Sequence, residues 1–204
     1  MRAVIISGGQ ITDYTYIKNQ KKANDTVICA DSGYNHAKKM DLQVSVIVGD
    51  FDSIGTIPQN IPTIKYPSAK DQTDTEIAIA YAHSKGFKDF LLLAATGRRI
   101  DHGLTNILLL KSFLERGETA QIIDEHNKIM LTDSKLCLSE APDSIVSLVP
   151  LTDCTGVCTT NLEYPLQDAN LHVGKGVGVS NVMVADSASV SLREGLLLVI
   201  VARD

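Results

Sequence analysis

Five short, unbroken apolar runs set the pattern of the first 125 residues: Ala3–Ser7, Thr26–Ala30, Val44–Val48, Phe90–Ala94 and Ala120–Ile123. A strand with one wet face alternates apolar and polar residues. A strand covered by helices on both faces does not, and reads as a continuous apolar run. These runs are therefore expected to be buried parallel strands. Helical patterns lie among them. Thr73–Ser84 carries Ile77, Ala78 and Tyr81 at helical spacing, and Thr73 with Glu76 forms a capping-box pair at its start. His102–Arg116 carries Leu104, Ile107, Leu108 and Leu114, and Gly117 ends it. Strand and helix in alternation predict an α/β, Rossmann-like domain over residues 1–125 with a mostly parallel sheet.

After Glu125 the helical period disappears. Strand-like segments Ile145–Val149, Leu171–Val173, Val182–Val184, Ser189–Leu192 and Leu196–Val201 are separated by turn signals such as Ala-Pro-Asp, Tyr-Pro and Gly-Lys-Gly. Residues 126–204 are expected to form a small all-β sandwich or partial barrel.

In an open parallel sheet, ligands bind beyond the carboxyl ends of the strands. The polar clusters fall there. Run one ends in Ser7-Gly8-Gly9, run two in Asp31-Ser32-Gly33, run three in Gly49-Asp50-Phe51-Asp52-Ser53, and the fourth in Thr96-Gly97-Arg98-Arg99-Ile100-Asp101-His102. In an extended segment Asp50 and Asp52 point to one side, where two carboxylates repel unless a cation sits between them. Mg²⁺ takes oxygen ligands and is held by one or two carboxylates plus substrate phosphates. Lys70, Asp71 and Asp74 precede or open the Thr73 helix. Acids there also offset the helix dipole, but Asp71, Asp74 and Lys70 are not fully accounted for by capping. Lys70 offers a point charge for a phosphate, and Arg98 and Arg99 a bidentate one. Asp101 can simply cap the following helix, and Asn106 lies one turn in. Gly8 and Gly9 match neither the dinucleotide fingerprint nor the phosphate-loop motif, and permit only close backbone approach to a ligand.

Composition narrows the classes. The formal net charge is −5, and no basic patch marks a nucleic-acid binder. No apolar run reaches the ~18 residues of a membrane span. The first ten residues lack a signal-peptide layout. The four cysteines suit a reducing compartment, and Cys154 and Cys158 read as small buried hydrophobes. A cytoplasmic enzyme is expected. The residues alone support metal-assisted phosphoryl transfer, with a metal-dependent phosphohydrolase as the rival reading and a non-catalytic sensor as a more distant one.

VGDFDS, KDQTDTE and TGRRIDHGLTN, in this order, resemble the signature blocks of the thiamine pyrophosphokinase family, and ADSGYNHA resembles its nucleotide-side segment. LEYPL, GVSN and SVSLREGLLLVI are similar to its second domain. The resemblance implies transfer of a diphosphoryl group from ATP to thiamine with release of AMP, by a homodimer joined largely through the β domain. It implies that Asp50, Asp52 and Asp74 hold Mg²⁺ and the polyphosphate, with Asp71 and Asp101 close by. Lys70 and Arg99 would touch phosphates, and Asn106 would shape the site. Gly8, Gly9, Asp31 and Gly33 would face ATP, and Ser180 and Asn181 would line the thiamine pocket. A pyrophosphokinase acting on another alcohol, such as a hydroxymethylpterin, would show a similar acidic rim. Some members stack thiamine on a tryptophan near the C-terminus; this chain has no Trp, and Asp186 lies in that stretch.

Overall fold

The computed structural model describes residues 1–54, 56, 58–67 and 71–203. The chain divides into two compact units, Met1–Glu125 and His126–Asp204.

Among the described residues the first unit holds six parallel strands: β1 (Arg2–Ile6), β2 (Thr26–Ala30), β3 (Val44–Gly49), β4 (Thr63–Lys65), β5 (Asp89–Leu93) and β6 (Thr119–Ile123). Their order in the sheet is β6-β5-β1-β2-β3-β4. Helices α1 (Tyr14–Asn19), α2 (Gly33–Lys39), α3 (Asp74–Ser84) and α4 (Ile100–Glu115) accompany them. The central strand β1 is buried throughout, in parallel register with β2 on one side and β5 on the other. The chain builds outward from β1 in one direction, then returns to fill the other. That reversal leaves a crevice at the carboxyl ends of β1 and β5.

Helix α3 begins on the capping box read from the sequence. The Thr73 hydroxyl accepts from the Glu76 backbone N–H at 3.2 Å, and the Glu76 carboxylate accepts from the Thr73 N–H at 2.9 Å. Helix α4 differs from its apolar pattern. Its buried stripe is Gly103, Asn106, Leu110 and Phe113. Leu104 and Leu108, about half exposed, lie on another face together with Ile100.

At the amino ends of the strands, charges pair. The buried Arg2 guanidinium donates to both carboxylate oxygens of Asp25, at 2.6 and 3.2 Å, and to the Gln20 carbonyl. Glu118, its side chain 1% exposed, accepts from Lys88 at 2.8 Å and meets His83 at 2.7 Å.

The second unit is built of two antiparallel layers. One contains β7 (Asn127–Thr132), β9 (Ile145–Pro150), β12 (Asn181–Val182) and β14 (Leu197–Ala202), in the order β12-β9-β14-β7. The other contains β8 (Lys135–Ser139), β10 (Cys154–Thr160), β11 (Ala169–Leu171) and β13 (Ser187–Ser191), in the order β11-β10-β13-β8. Strand β9 alternates buried and half-buried residues. Leu148 and Val199 from the first layer share one core with Val157 and Val190 from the second, as the inner faces of a sandwich do. Cys154 belongs to that core and donates its thiol to the Thr152 and Leu196 carbonyls.

Candidate active site

A cavity of about 680 Å³ opens at the carboxyl ends of the strands in the first unit. Because β2 and β3 lie on one side of β1 and β5 on the other, its two ends differ in charge.

The acidic end is lined by Asp31, after β2, and Asp74, at the start of α3; Asp50 and Asp52, after β3, are not among the lining residues, although Ser53 is. Asp31 lines the cavity, is 6% exposed, and adopts a left-handed backbone with φ 43°. Its carboxylate accepts from the Phe51 N–H at 3.1 Å. Phe51 is itself left-handed, with φ 68° and a buried ring. The segment from Asp50 to Asp52 is thus a turn and not the extended stretch considered above. The Asp52 N–H bonds back to the Asp50 carboxylate at 3.2 Å, and the Ser53 hydroxyl donates to Asp52 at 2.7 Å. The turn brings one carboxylate oxygen from each of Asp31, Asp50 and Asp52 within 4.8 Å of the others. Asp74, the first residue of α3, also lines the cavity. Burial raises the Asp31 pKa, and the charges of Asp74 and Asp50 add to that rise, against hydrogen bonds from the Ser32 backbone and the Ser53 side chain. Three oxygen donors of like charge around one point form a donor set that suits a hard divalent cation. Asp31, read from sequence as a nucleotide contact, is the third member of this group; Asp74 stands beside it. Asp71 is exposed and does not line the cavity, and Lys70 lies outside the described residues.

The basic end comes from the β5–α4 segment, where Arg98, Arg99 and His102 line the cavity. Arg99 binds Asp101 through two hydrogen bonds, at 2.5 and 3.2 Å. That pairing holds the Asp101 carboxyl down to about 2. Asp101 is exposed and does not line the cavity. Asn106 does, although its amide is committed to the Ala95 carbonyl at 2.7 Å, which ties α4 to the end of β5.

The glycines serve packing more than ligand approach. A Cβ on Gly9 would lie 2.0 Å from the Thr96 carbonyl oxygen, and one on Gly33 would lie 1.9 Å from that of Ile6. Gly8 and Gly9 still line the cavity; Gly33 does not.

Ser180 and Asn181 belong to the second unit. Ser180 is exposed, with φ 58°, and its N–H donates to the Ser147 hydroxyl. Asn181 is buried and staples the Tyr164 turn: its side chain accepts from the Tyr164 N–H at 3.0 Å and donates to the Tyr164 carbonyl at 2.7 Å.

Several cavity residues had no role assigned from the sequence, Gln10, Thr75 and His36 among them. The Thr75 hydroxyl bonds Ser7 at 2.9 Å and ties α3 to the end of β1. His36, on α2, meets the Tyr14 hydroxyl at 2.9 Å. Burial lowers the His36 pKa, against a hydrogen bond to the Gly9 carbonyl that raises it. Thr75 and His36 lie inside motif blocks, KDQTDTE and ADSGYNHA, whose other residues carried the assigned roles, and α2 is too short to display a period.

Comparison with known proteins agrees with this architecture. Residues 17–124, more than half of the chain, match the family model for the thiamin pyrophosphokinase catalytic domain. Residues 134–197 match that for the thiamin pyrophosphokinase vitamin B1 binding domain. The thiamine pyrophosphokinase of Bacillus subtilis is 28% identical over 165 residues, covering 76% of this chain and 77% of that protein. Solved structures share the fold. A Bacillus subtilis thiamine pyrophosphokinase superposes with a TM-score of 0.89 at 23% identity, covering 100% of both chains. One from Candida albicans gives 0.80 at 18% identity, covering 99% of this chain and 89% of that one. With both domain models matched in order along its length, the chain belongs to the thiamine pyrophosphokinase family.

Proposed function

We propose that this chain carries out the reaction of its family, transferring a diphosphoryl group from ATP to the hydroxyl of thiamine and releasing AMP. The carrying observation is a single cavity with carboxylates at one end and guanidinium groups at the other, at the point where the strand order reverses. Phosphoryl-group transfer depends on positioning and on neutralising charge, and this arrangement supplies both. Asp31, Asp50 and Asp52 would hold Mg²⁺, with Asp74 beside them; bound there, the ion neutralises polyphosphate charge. Arg99 and Lys70 would contact phosphates, Asp71 and Asp101 would flank them, and Gly8 and Gly9 would face the nucleotide across from Asp31. The thiamine oxygen bonds to the β-phosphorus while the bond from that phosphorus to the AMP oxygen breaks. The hydroxyl proton passes to a carboxylate at the acidic end. Thiamine itself would be met by the second unit, with Ser180 exposed to it and Asn181 shaping the turn at Tyr164.

The reading extends to assembly and place. The second unit exposes Tyr164, Val173, Val177, Val179 and Val184, an apolar set that a symmetric homodimer would cover. Among the described residues no helix is long and apolar enough to cross a membrane. The four unpaired cysteines support operation in the cytoplasm.

Purified chain supplied with ATP, Mg²⁺ and thiamine tests the proposal. AMP and thiamine diphosphate should appear in equal amounts. ADP with thiamine monophosphate would overturn it.

A further inference from the structure

The β5–α4 segment carries two adjacent arginines in different electrostatic circumstances. Arg99 is bound at two points by Asp101, so its charge is already compensated. Arg98 lines the cavity and, among the described residues, forms no ion pair. Its Nε donates instead to the neutral side-chain oxygen of Gln10, at 2.9 Å. With Nε committed, the two terminal nitrogens carry no other hydrogen bond among the described residues. A guanidinium held by its Nε and uncompensated in charge suits bidentate capture of a phosphate.

Gln10 is placed to do the holding. It follows β1 in a segment fixed at several points. The Gly9 N–H donates to the Ala94 carbonyl at 2.7 Å. The Glu125 carboxylate accepts from the N–H groups of Thr12 and Asp13 and from the Thr12 hydroxyl. The segment is anchored on both sides of Gln10, whose amide side chain reaches across to the arginine.

We infer that Arg98 is a polyphosphate-binding residue of the transfer reaction and that Gln10 is the positioning residue that orients it. The inference rests on the reading that ATP occupies this cavity. The family resemblance singles out Arg99 for the phosphates, whereas the geometry gives its neighbour Arg98 the uncompensated charge. Arg99, its charge already compensated by Asp101, is the weaker of the two phosphate contacts, while Arg98 supplies uncompensated charge to the substrate.

Calorimetry with Mg²⁺–ATP and with adenosine, alongside steady-state kinetics, tests this on the full chain. Arg98→Ala should weaken ATP binding and raise the ATP KM about tenfold, the scale of a charge-assisted contact. Its adenosine affinity and thiamine KM should stay within about twofold. Arg98→Lys should recover only part of the loss, because an ammonium has no Nε for Gln10 to hold. Gln10→Ala should cost about threefold in ATP affinity, and nothing further in an Arg98→Ala background. Melting curves confirm that each variant is folded. Unchanged ATP affinity in Arg98→Ala, or equal losses for ATP and adenosine, would overturn the role of Arg98. A Gln10→Ala effect that persists without Arg98 would overturn the positioning role. Failure of the unaltered chain to bind ATP would instead sink the reading underneath.

Discussion

Phe51 does at the residue scale what a D-x-D spelling alone does not convey. Its left-handed backbone turns the chain between Asp50 and Asp52, and its N–H is fixed by Asp31. A left-handed bulky residue costs about 1–3 kcal/mol and persists only where surroundings enforce it; here the buried ring and the Asp31 bond do so. The aspartates were legible in the sequence. Their convergence was not, because it depends on one dihedral and on a third carboxylate from a different strand end. The raised pKa of Asp31 has a definite sign. The stabilisation it gives when protonated is complete below the unfolded carboxylate pKa, and is lost as pH rises through its higher folded value. At neutral pH, then, the metal-free protein carries a burden of like charge. Asp31→Asn and Asp52→Asn should each lower kcat by at least about a hundredfold, as loss of a preorganised charge contact does. In chelator at pH 7, Asp31→Asn should melt no lower than the parent, and its gain in Tm on adding Mg²⁺ should shrink. Full activity at ordinary Mg²⁺ in either variant would rule out a metal role.

Helix α3 was the element most readable in advance, since Thr73 and Glu76 announce their own reciprocal bonds. Thr73→Ala should destabilise the chain by about 1 kcal/mol in chemical denaturation, with Thr73→Ser nearly neutral. Because Thr73, Asp74 and Thr75 all line the cavity, the alanine variant should also raise the ATP KM; a cap with no bearing on the site would leave it unmoved. Other elements were hidden for identifiable reasons. Helices α1 and α2 span six and seven residues, under two turns, so no apolar period can develop. Strands β7, β8 and β10 mix apolar residues with lysine, threonine, asparagine and cysteine, and Met130, Leu138 and Val157 from them join the core of the second unit. In α4 the buried stripe includes Asn106, whose amide bonds the Ala95 carbonyl at the end of β5, while Leu104 lies on the exposed face.

For the whole molecule, the hydrophobic period itself changes after Glu125, and the chain divides into compact units Met1–Glu125 and His126–Asp204. Exposed valines around Ser180 bear on assembly. Sedimentation of the full chain should give a dimer. Val179→Glu, which puts a charge on that surface, should shift it towards monomer and raise the thiamine KM more than the ATP KM. A monomeric parent, or a variant that dissociates with both constants unchanged, would refute the proposed β-unit interface and its link to thiamine. The first unit also sorts its charges by end. Arg2–Asp25 and the Glu118 cluster lie where strands begin, while the acidic trio and the arginines lie where strands finish. Heat or acid tolerance can therefore be selected at one pole of the sheet while substrate preference drifts at the other, so that a lineage can change its climate without changing its chemistry.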